Sequence, residues 1–272
     1  MIIDLHCHTN MSDGALTPNQ LLDLASERGV DMLSITDHDT LDAYAHTSSV
    51  PPGMRLIPGI ELSSRWRKQG VHIVGLNIDL SNPVMASAVA EQSAIRLQRA
   101  QEISVRLERL GFYGCLEGAQ RFAHNQIGRP HFAQHLIAVG AVKNYNEAFK
   151  KYLGAGKAGD IKEHWPDIET VVQWIKQAGG IAVLAHPSKY KMTRTKLTEL
   201  IGDFKNAGGE AMEVVSGLQI PSLTRDLAKL CTQFGLLASC GSDFHSPDKK
   251  WAALGLISNL PETCKPIWDR WS

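Results

Sequence analysis

Short apolar, β-branched runs alternate with helix-period segments over much of this chain. Met1 to Leu5, Val30 to Thr36, Arg55 to Glu61, Val71 to Leu76, Gly180 to Ala185, Ala211 to Val215 and Leu236 to Cys240 each read as a strand. Between the first two, Thr17 is placed to cap a helix that Pro18 begins; Leu21, Leu22, Leu24 and Ala25 give it an apolar face, and Gly29 stops it. Strand, helix and strand in so short a span predict a βαβ unit of a parallel sheet. Ile220 to Phe234 predicts a further covering helix. The rhythm breaks between Leu76 and Gly180, where helical spacing runs over Pro83 to Leu110, Glu117 to Ala123, Pro130 to Ala138 and Tyr145 to Leu153.

Composition narrows the field. A length of 272 residues allows one large α/β domain or two small ones. Lys and Arg balance Asp and Glu at 28 each, so no global field advertises nucleic acid or an acidic membrane, and any anion site must be local. Five cysteines without a Cys-x-x-Cys pair predict reduced thiols and a cytoplasmic setting. No secretory leader or membrane span is expected, because the first residues enter a strand directly and no apolar run is long enough.

Candidate chemistry begins at Asp4-Leu5-His6-Cys7-His8. Side chains two apart on a strand point to one side, so His6 and His8 aim together and Cys7 away. With Asp13 in the following loop they suit a divalent ion. Taken alone, His-x-His is as readily structural as metal-binding. The pattern repeats, however: Asp37-His38, Glu61, His186, and Asp243 with His245 all fall at or just beyond strand ends, the face on which barrels build active sites. His72, near the start of its strand, is the exception. Ligand-type residues on successive strands point to a multinuclear metal site.

These motifs, in this order, resemble those of the PHP (polymerase and histidinol phosphatase) family: Asp4-Leu5-His6-Cys7-His8 with Ser12-Asp13-Gly14, Ile35-Thr36-Asp37-His38, Gly59-Ile60-Glu61, His72, Ala185-His186-Pro187 and Gly241-Ser242-Asp243-Phe244-His245. The resemblance implies an α/β fold, a distorted barrel of about seven β/α units of the PHP type, with two or three divalent metals on its C-terminal face. It implies that His6, His8, Glu61 and Asp243 hold one ion, Asp13, His38 and His245 a second, and Glu61, His72 and His186 a third, with Glu61 bridging. Mixed nitrogen and oxygen donors suit manganese first, and iron or zinc, over calcium or magnesium.

On this reading residues 1–79 and 165–272 form the barrel domain, and 80–164 an inserted helical subdomain over the metal face. Within it, Gly128-Arg129-Pro130-His131 places Arg129 and His131 at a helix start, where free N–H groups favour an anion. Arg96 and Arg99 share a face of the preceding long helix; a solvated face explains both equally well, and only Arg99 is taken as a substrate candidate. Asp13, Arg99, Arg129 and His131 are thus the expected substrate contacts. Lys189 and Arg194 are expected to be solvated loop cations, and Lys157 lacks a P-loop context.

The expected reaction is phosphomonoester hydrolysis by metal-activated hydroxide. Asp243 is a candidate proton acceptor, His245 a phosphate-placing group and His131 a candidate donor to the leaving oxygen. The Gly-Arg-Pro-His and Gly-Ser-Asp-Phe-His segments resemble stand-alone bacterial members of the family that act on nucleotides. That implies removal of the 3'-phosphate of nucleoside 3',5'-bisphosphates and trimming of 5'-phosphorylated short oligonucleotides, with no membrane or stable protein partner. Histidinol phosphate hydrolysis, amidohydrolysis and a non-catalytic nucleotide scaffold are the alternatives.

Overall fold

The computed structural model describes residues 1–271, and its strands fall into two sheets. The first takes β1 (Ile3–Cys7), β2 (Met32–Ile35) and β3 (Arg55–Leu56), all parallel. Helix α1 (Pro18–Glu27) links β1 to β2 and starts where the sequence predicts. Thr17 Oγ1 accepts the Gln20 N–H, and the Gln20 side chain accepts the Thr17 N–H in return. A short helix α2 (Asp42–Ala45) follows β2.

The strand expected over Arg55 to Glu61 is in fact two. Pro58 has no N–H for a ladder; the chain leaves the first sheet after Leu56 and enters the second as β4 (Gly59–Trp66). Next to β4 come β5 (Gln69–Leu76), β6 (Ile181–Leu184), β7 (Ala211–Ser216) and β8 (Leu237–Gly241). β5 runs antiparallel to both β4 and β6, so the uniform parallel rhythm expected from sequence fails there. This reversal accounts for His72. An antiparallel strand begins where its partner ends, and His72 pairs with Ser63, on the same face of the sheet as Glu61.

The two sheets do not form one continuous ladder. They meet at isolated parallel bridges, Cys7 with Phe244 and His38 with Glu61. At the first seam Asp243 N–H donates to His6 O at 2.8 Å; at the second Asp39 N–H donates to Glu61 O at 2.9 Å. Gly241 permits the first: a Cβ there would lie 2.7 Å from His6 N and 2.9 Å from His6 Cα, backbone that has nowhere to go. Gly241→Ala is therefore expected to lower stability by about 1–3 kcal/mol, read from urea unfolding. Wild-type stability would show that the seam yields freely.

Helices α7 (Ile168–Gln177), α8 (Arg194–Asn206) and α9 (Pro221–Gln233) share one large core with the second sheet. Between β5 and α7 lie α3 (Pro83–Glu108), α4 (Cys115–Gln120), α5 (Arg129–Ala138) and α6 (Tyr145–Ala148), the last continuing into a π-type turn through Leu153. These helices have a core of their own, including Ile103, Leu107, Phe132, Leu136 and Ile161. The start of α3, with Met85 and Ala88, belongs to the main core, so one helix is rooted in both. All five cysteines are buried and unpaired. Among the described residues no helix is long and apolar enough to cross a membrane.

Candidate metal centre

The strand ends deliver the histidines. β1 ends with His6 and Cys7; Cys7 Sγ turns away and donates to Ser34 O at 3.1 Å, leaving His6 and His8 on the other side. The loop that carries Asp13 is pinned by Asp37, which accepts the Thr9 N–H at 2.7 Å and the Ser12 hydroxyl at 2.6 Å. Among the described non-glycine residues with positive φ, three belong to the site or adjoin it: Asp39, His186 and Asp243, at 56°, 28° and 53°. Non-glycine residues in this region are held there at a cost and cluster at functional sites. Asp243 and His245 therefore do not repeat the strand geometry of His6 and His8, although both reach the same place.

The nine sequence candidates for metal binding come together. His6 Nε2 and His8 Nε2 are 3.1 Å apart. Glu61 lies between: Oε1 is 2.9 Å from both His72 Nδ1 and His186 Nε2, while Oε2 is 2.9 Å from His38 Nδ1 and 3.3 Å from His6 and His8. Asp243 Oδ1 is 3.2 Å from His8 Nε2, and Asp13 Oδ1 is 3.3 Å from His245 Nε2. Donor atoms fall within 4.8 Å of one another in four sets: His8, Asp13, His38, His245; His6, Glu61, His186; His6, His8, Asp243; and His38, Glu61, His72. The partition differs from the expected one in that His8 joins the Asp13 set, His38 joins Glu61 and His72, and His6 joins Glu61 and His186; Glu61 is shared by two sets, as a bridging ligand should be.

Whether such donors fit an ion is tested by what they fail to do. Glu61 Oε2, His38 Nδ1, His8 Nδ1, His186 Nδ1 and Asp13 Oδ1 are buried without an aligned hydrogen bond, despite charged neighbours in range. Orphaned buried polar atoms are costly; of these, Glu61 Oε2, His38 Nδ1 and Asp13 Oδ1 lie among the convergent nitrogen and oxygen donors and fit divalent metal. Protonation agrees. Burial alone would raise Glu61, but His38, His6 and His72 hold it well below the usual carboxylate range. Burial, with His245 and His38 nearby, drives His8 down to about 3, leaving its lone pair free.

Above the cluster opens a cavity of about 450 Å³ lined on one side by Asp13, His38, His72, His186, Asp243 and His245. Arg96, Arg99, Arg129 and Lys189 line it too. Arg99 stacks 4.1 Å from Trp165 and its Nε donates to Ile161 O at 2.8 Å. Arg129 NH1 donates to Leu153 O at 3.2 Å. Burial, with Arg96 and Arg129 beside it, pushes Arg99 down to about 9 against the opposing pull of Asp39 and Asp160.

Two expectations change here. Arg96 is no solvated residue: it is buried, its Nε 2.6 Å from Asp39 Oδ2 and its NH2 3.2 Å from Ser63 Oγ. Lys189 pairs with the Asp243 carboxylate rather than standing free. His131 is buried outside the cavity lining, its Nδ1 accepting the Gly128 N–H at 2.9 Å as a helix-start cap. A ring nitrogen that accepts carries no proton, so any proton His131 gives would come from Nε2. Glu213, which the sequence reading passed over, bonds His6 Nδ1 and the His186 N–H; its signal was a lone acid in an otherwise apolar strand.

A mixed α/β fold here gathers six histidines and three carboxylates beneath a cation-lined cavity, a site suited to metal-assisted hydrolysis. The PHP domain family model matches residues 4–180, and this chain belongs to that family. It is 43% identical to the 5'-3' exoribonuclease Rnm of Escherichia coli, over all of this chain and 94% of the relative. It is 42% identical to the 3',5'-nucleoside bisphosphate phosphatase of Chromobacterium violaceum, over 98% of this chain and 95% of that one. A solved Chromobacterium violaceum structure, described as an amidohydrolase with bound sulfate, superposes with a TM-score of 0.92 at 41% identity, covering 99% of this chain and 95% of the other.

Proposed function

We propose that this protein is a metal-dependent phosphoric monoester hydrolase that removes the 3'-phosphate of nucleoside 3',5'-bisphosphates and also trims 5'-phosphorylated short oligonucleotides. The observation that carries this reading is a cavity with metal-type donors on one wall and Arg96, Arg99 and Arg129 on the others. One phosphate would sit over the donors and the other among the arginines. The activities named for the Escherichia coli and Chromobacterium relatives, and the sulfate in the latter organism's structure, support it.

His6, His8, Asp13, His38, Glu61, His72, His186, Asp243 and His245 would hold two or three divalent ions, manganese first, with iron or zinc as alternatives. Bound there, the ions would make water nucleophilic near neutral pH and offset charge building on the phosphoryl oxygens. The chain's own groups do the rest. Burial would raise the Asp243 carboxyl, but Lys189, His245 and His6 hold it well below the usual carboxylate range, which suits ligation better than taking up a proton; His245 would help place the phosphate. Arg99 and Arg129, which line the cavity, would clamp the second phosphate.

On the same reading, residues 1–79 and 165–272 act as a distorted seven-unit barrel joined at two bridged seams, and 80–164 as the cap that supplies the arginines. Five buried free thiols suit a cytoplasmic setting. The arginine wall disfavours histidinol phosphate, whose amine would meet like charge.

The test compares phosphate release from adenosine 3',5'-bisphosphate, 3'-AMP and histidinol phosphate by the Mn-loaded protein and by Arg129→Ala. Losing a hydrogen bond between charged groups removes about 1.5–3 kcal/mol. KM for the bisphosphate should therefore rise roughly ten- to hundredfold, with 3'-AMP little affected. Equal effects on all three substrates, or a preference for histidinol phosphate, would contradict the reading.

A further inference from the structure

Among the described residues, Glu213 is the one carboxylate around the cluster that is not among the expected ligands and yet bonds two of them. It sits in β7, and its side chain is buried. One oxygen meets His6 Nδ1; the other accepts the His186 N–H at 2.6 Å and the Ser216 hydroxyl at 2.8 Å. A carboxylate only accepts, so the proton lies on His6 Nδ1 and the Nε2 lone pair faces the cluster, 3.3 Å from Glu61 and 3.5 Å from Asp243. His8, two residues on, has no such support: its Nδ1 is buried and unbonded.

The His186 contact is of another kind. The backbone there turns through φ 28°, outside any regular element, and immediately precedes Pro187. Glu213 takes up the N–H that this turn leaves pointing inward, and His186 Nε2 then reaches Glu61 at 2.9 Å. One side chain thus orients a ring by its edge and a second ring by its backbone. Those two rings, with Glu61, make up one of the four donor sets.

We propose that Glu213 is a positioning residue that fixes the His6 tautomer and the His186 backbone together, so that the His6, Glu61, His186 set is preformed for a divalent ion. The inference rests on the metal-centre reading above, and nothing about substrate enters it. Partners of metal-ligating histidines are worth 10- to 100-fold in metal affinity. Because Glu213 serves two ligands, Glu213→Gln is expected at the upper part of that range, roughly 30- to 100-fold weaker Mn binding, with fewer ions bound per chain. Far-UV circular dichroism should be unchanged, and Glu213→Asp should bind no better than the Gln variant, since a shorter chain cannot reach both partners.

Two readouts test this without activity. The first is Mn affinity and stoichiometry of wild type, Glu213→Gln and Glu213→Asp by calorimetry. Affinity within about threefold of wild type in a folded Gln variant, well short of the second-partner range, would overturn the proposal. The second is the imidazole 15N spectrum of the zinc-loaded wild-type protein, which also covers a variant that fails to fold. His6 is expected to carry its proton on Nδ1, shifted far downfield by the carboxylate; a proton on Nε2 would overturn it. A wild-type chain that takes up no divalent ion would overturn the metal centre itself, and this proposal with it. Bound ions without phosphatase activity would instead leave Glu213's role standing while the substrate reading falls.

Discussion

Glu61→Gln is expected to lose at least about 10³-fold in phosphate release, equivalent to roughly 4 kcal/mol at 1.36 kcal/mol per tenfold, and to bind fewer divalent ions. Glu61 is the hub of the cluster: Oε1 reaches His72 and His186, and Oε2 reaches His6, His8 and His38. An amide keeps the shape but has one oxygen, and carries no charge to offset a metal. Unlike an arginine, the surrounding histidines can release their protons once the anion is gone, so no buried charge need be left unpaired and unfolding free energy should fall by no more than about 1–3 kcal/mol. Loss of activity and metal with retained stability separates a ligand from a structural partner. A variant with wild-type rate and Mn content would make Glu61 merely the counter-charge of its histidines.

Arg96→Met should be the most destabilising single change in the cap, at about 3–5 kcal/mol, the cost of breaking a buried ion pair by removing one partner. Arg96 is rooted on α3 and meets Asp39, which is fully buried and turned to φ 56°. Without the guanidinium, Asp39 keeps only the Ser63 N–H and hydroxyl, at 2.6 and 2.8 Å. Asp39→Asn combined with Arg96→Met should recover most of the loss, because no buried charge is then unpaired. Urea unfolding midpoints with unchanged slopes measure both variants. A loss below about 1 kcal/mol would place the pair in the range of exposed ion pairs and deny it a role in tying cap to sheet.

Local chemistry made much of this legible from the chain. The Thr17-Pro18 start, the Pro83 start of the long helix and the opposed directions of Cys7 and its flanking histidines depend on neighbours a few residues away, and they stand where the sequence puts them. What was not legible is long-range. Nothing in Val71 to Leu76 marks β5 as antiparallel, so His72 looked misplaced until its strand was reversed. Arg96 and Arg99 have the same spacing signal; only the fold brings Asp39, 57 residues away, against one of them. Pro-His at a helix start marks an anion site and a capped ring equally well, and one nitrogen of His131 serves as the cap. Glu213 lies 207 residues from His6, a pairing no local pattern encodes.

The most direct measurement of the central claim is identification of the nucleoside product when the Mn-loaded protein acts on adenosine 3',5'-bisphosphate, with the chelated protein as its control. Cleavage over the donor cluster, with the second phosphate held among Arg99 and Arg129, predicts 5'-AMP and inorganic phosphate in equal amounts, abolished by chelation and restored by Mn. Formation of 3'-AMP, or release that persists after the ions are removed, would contradict it.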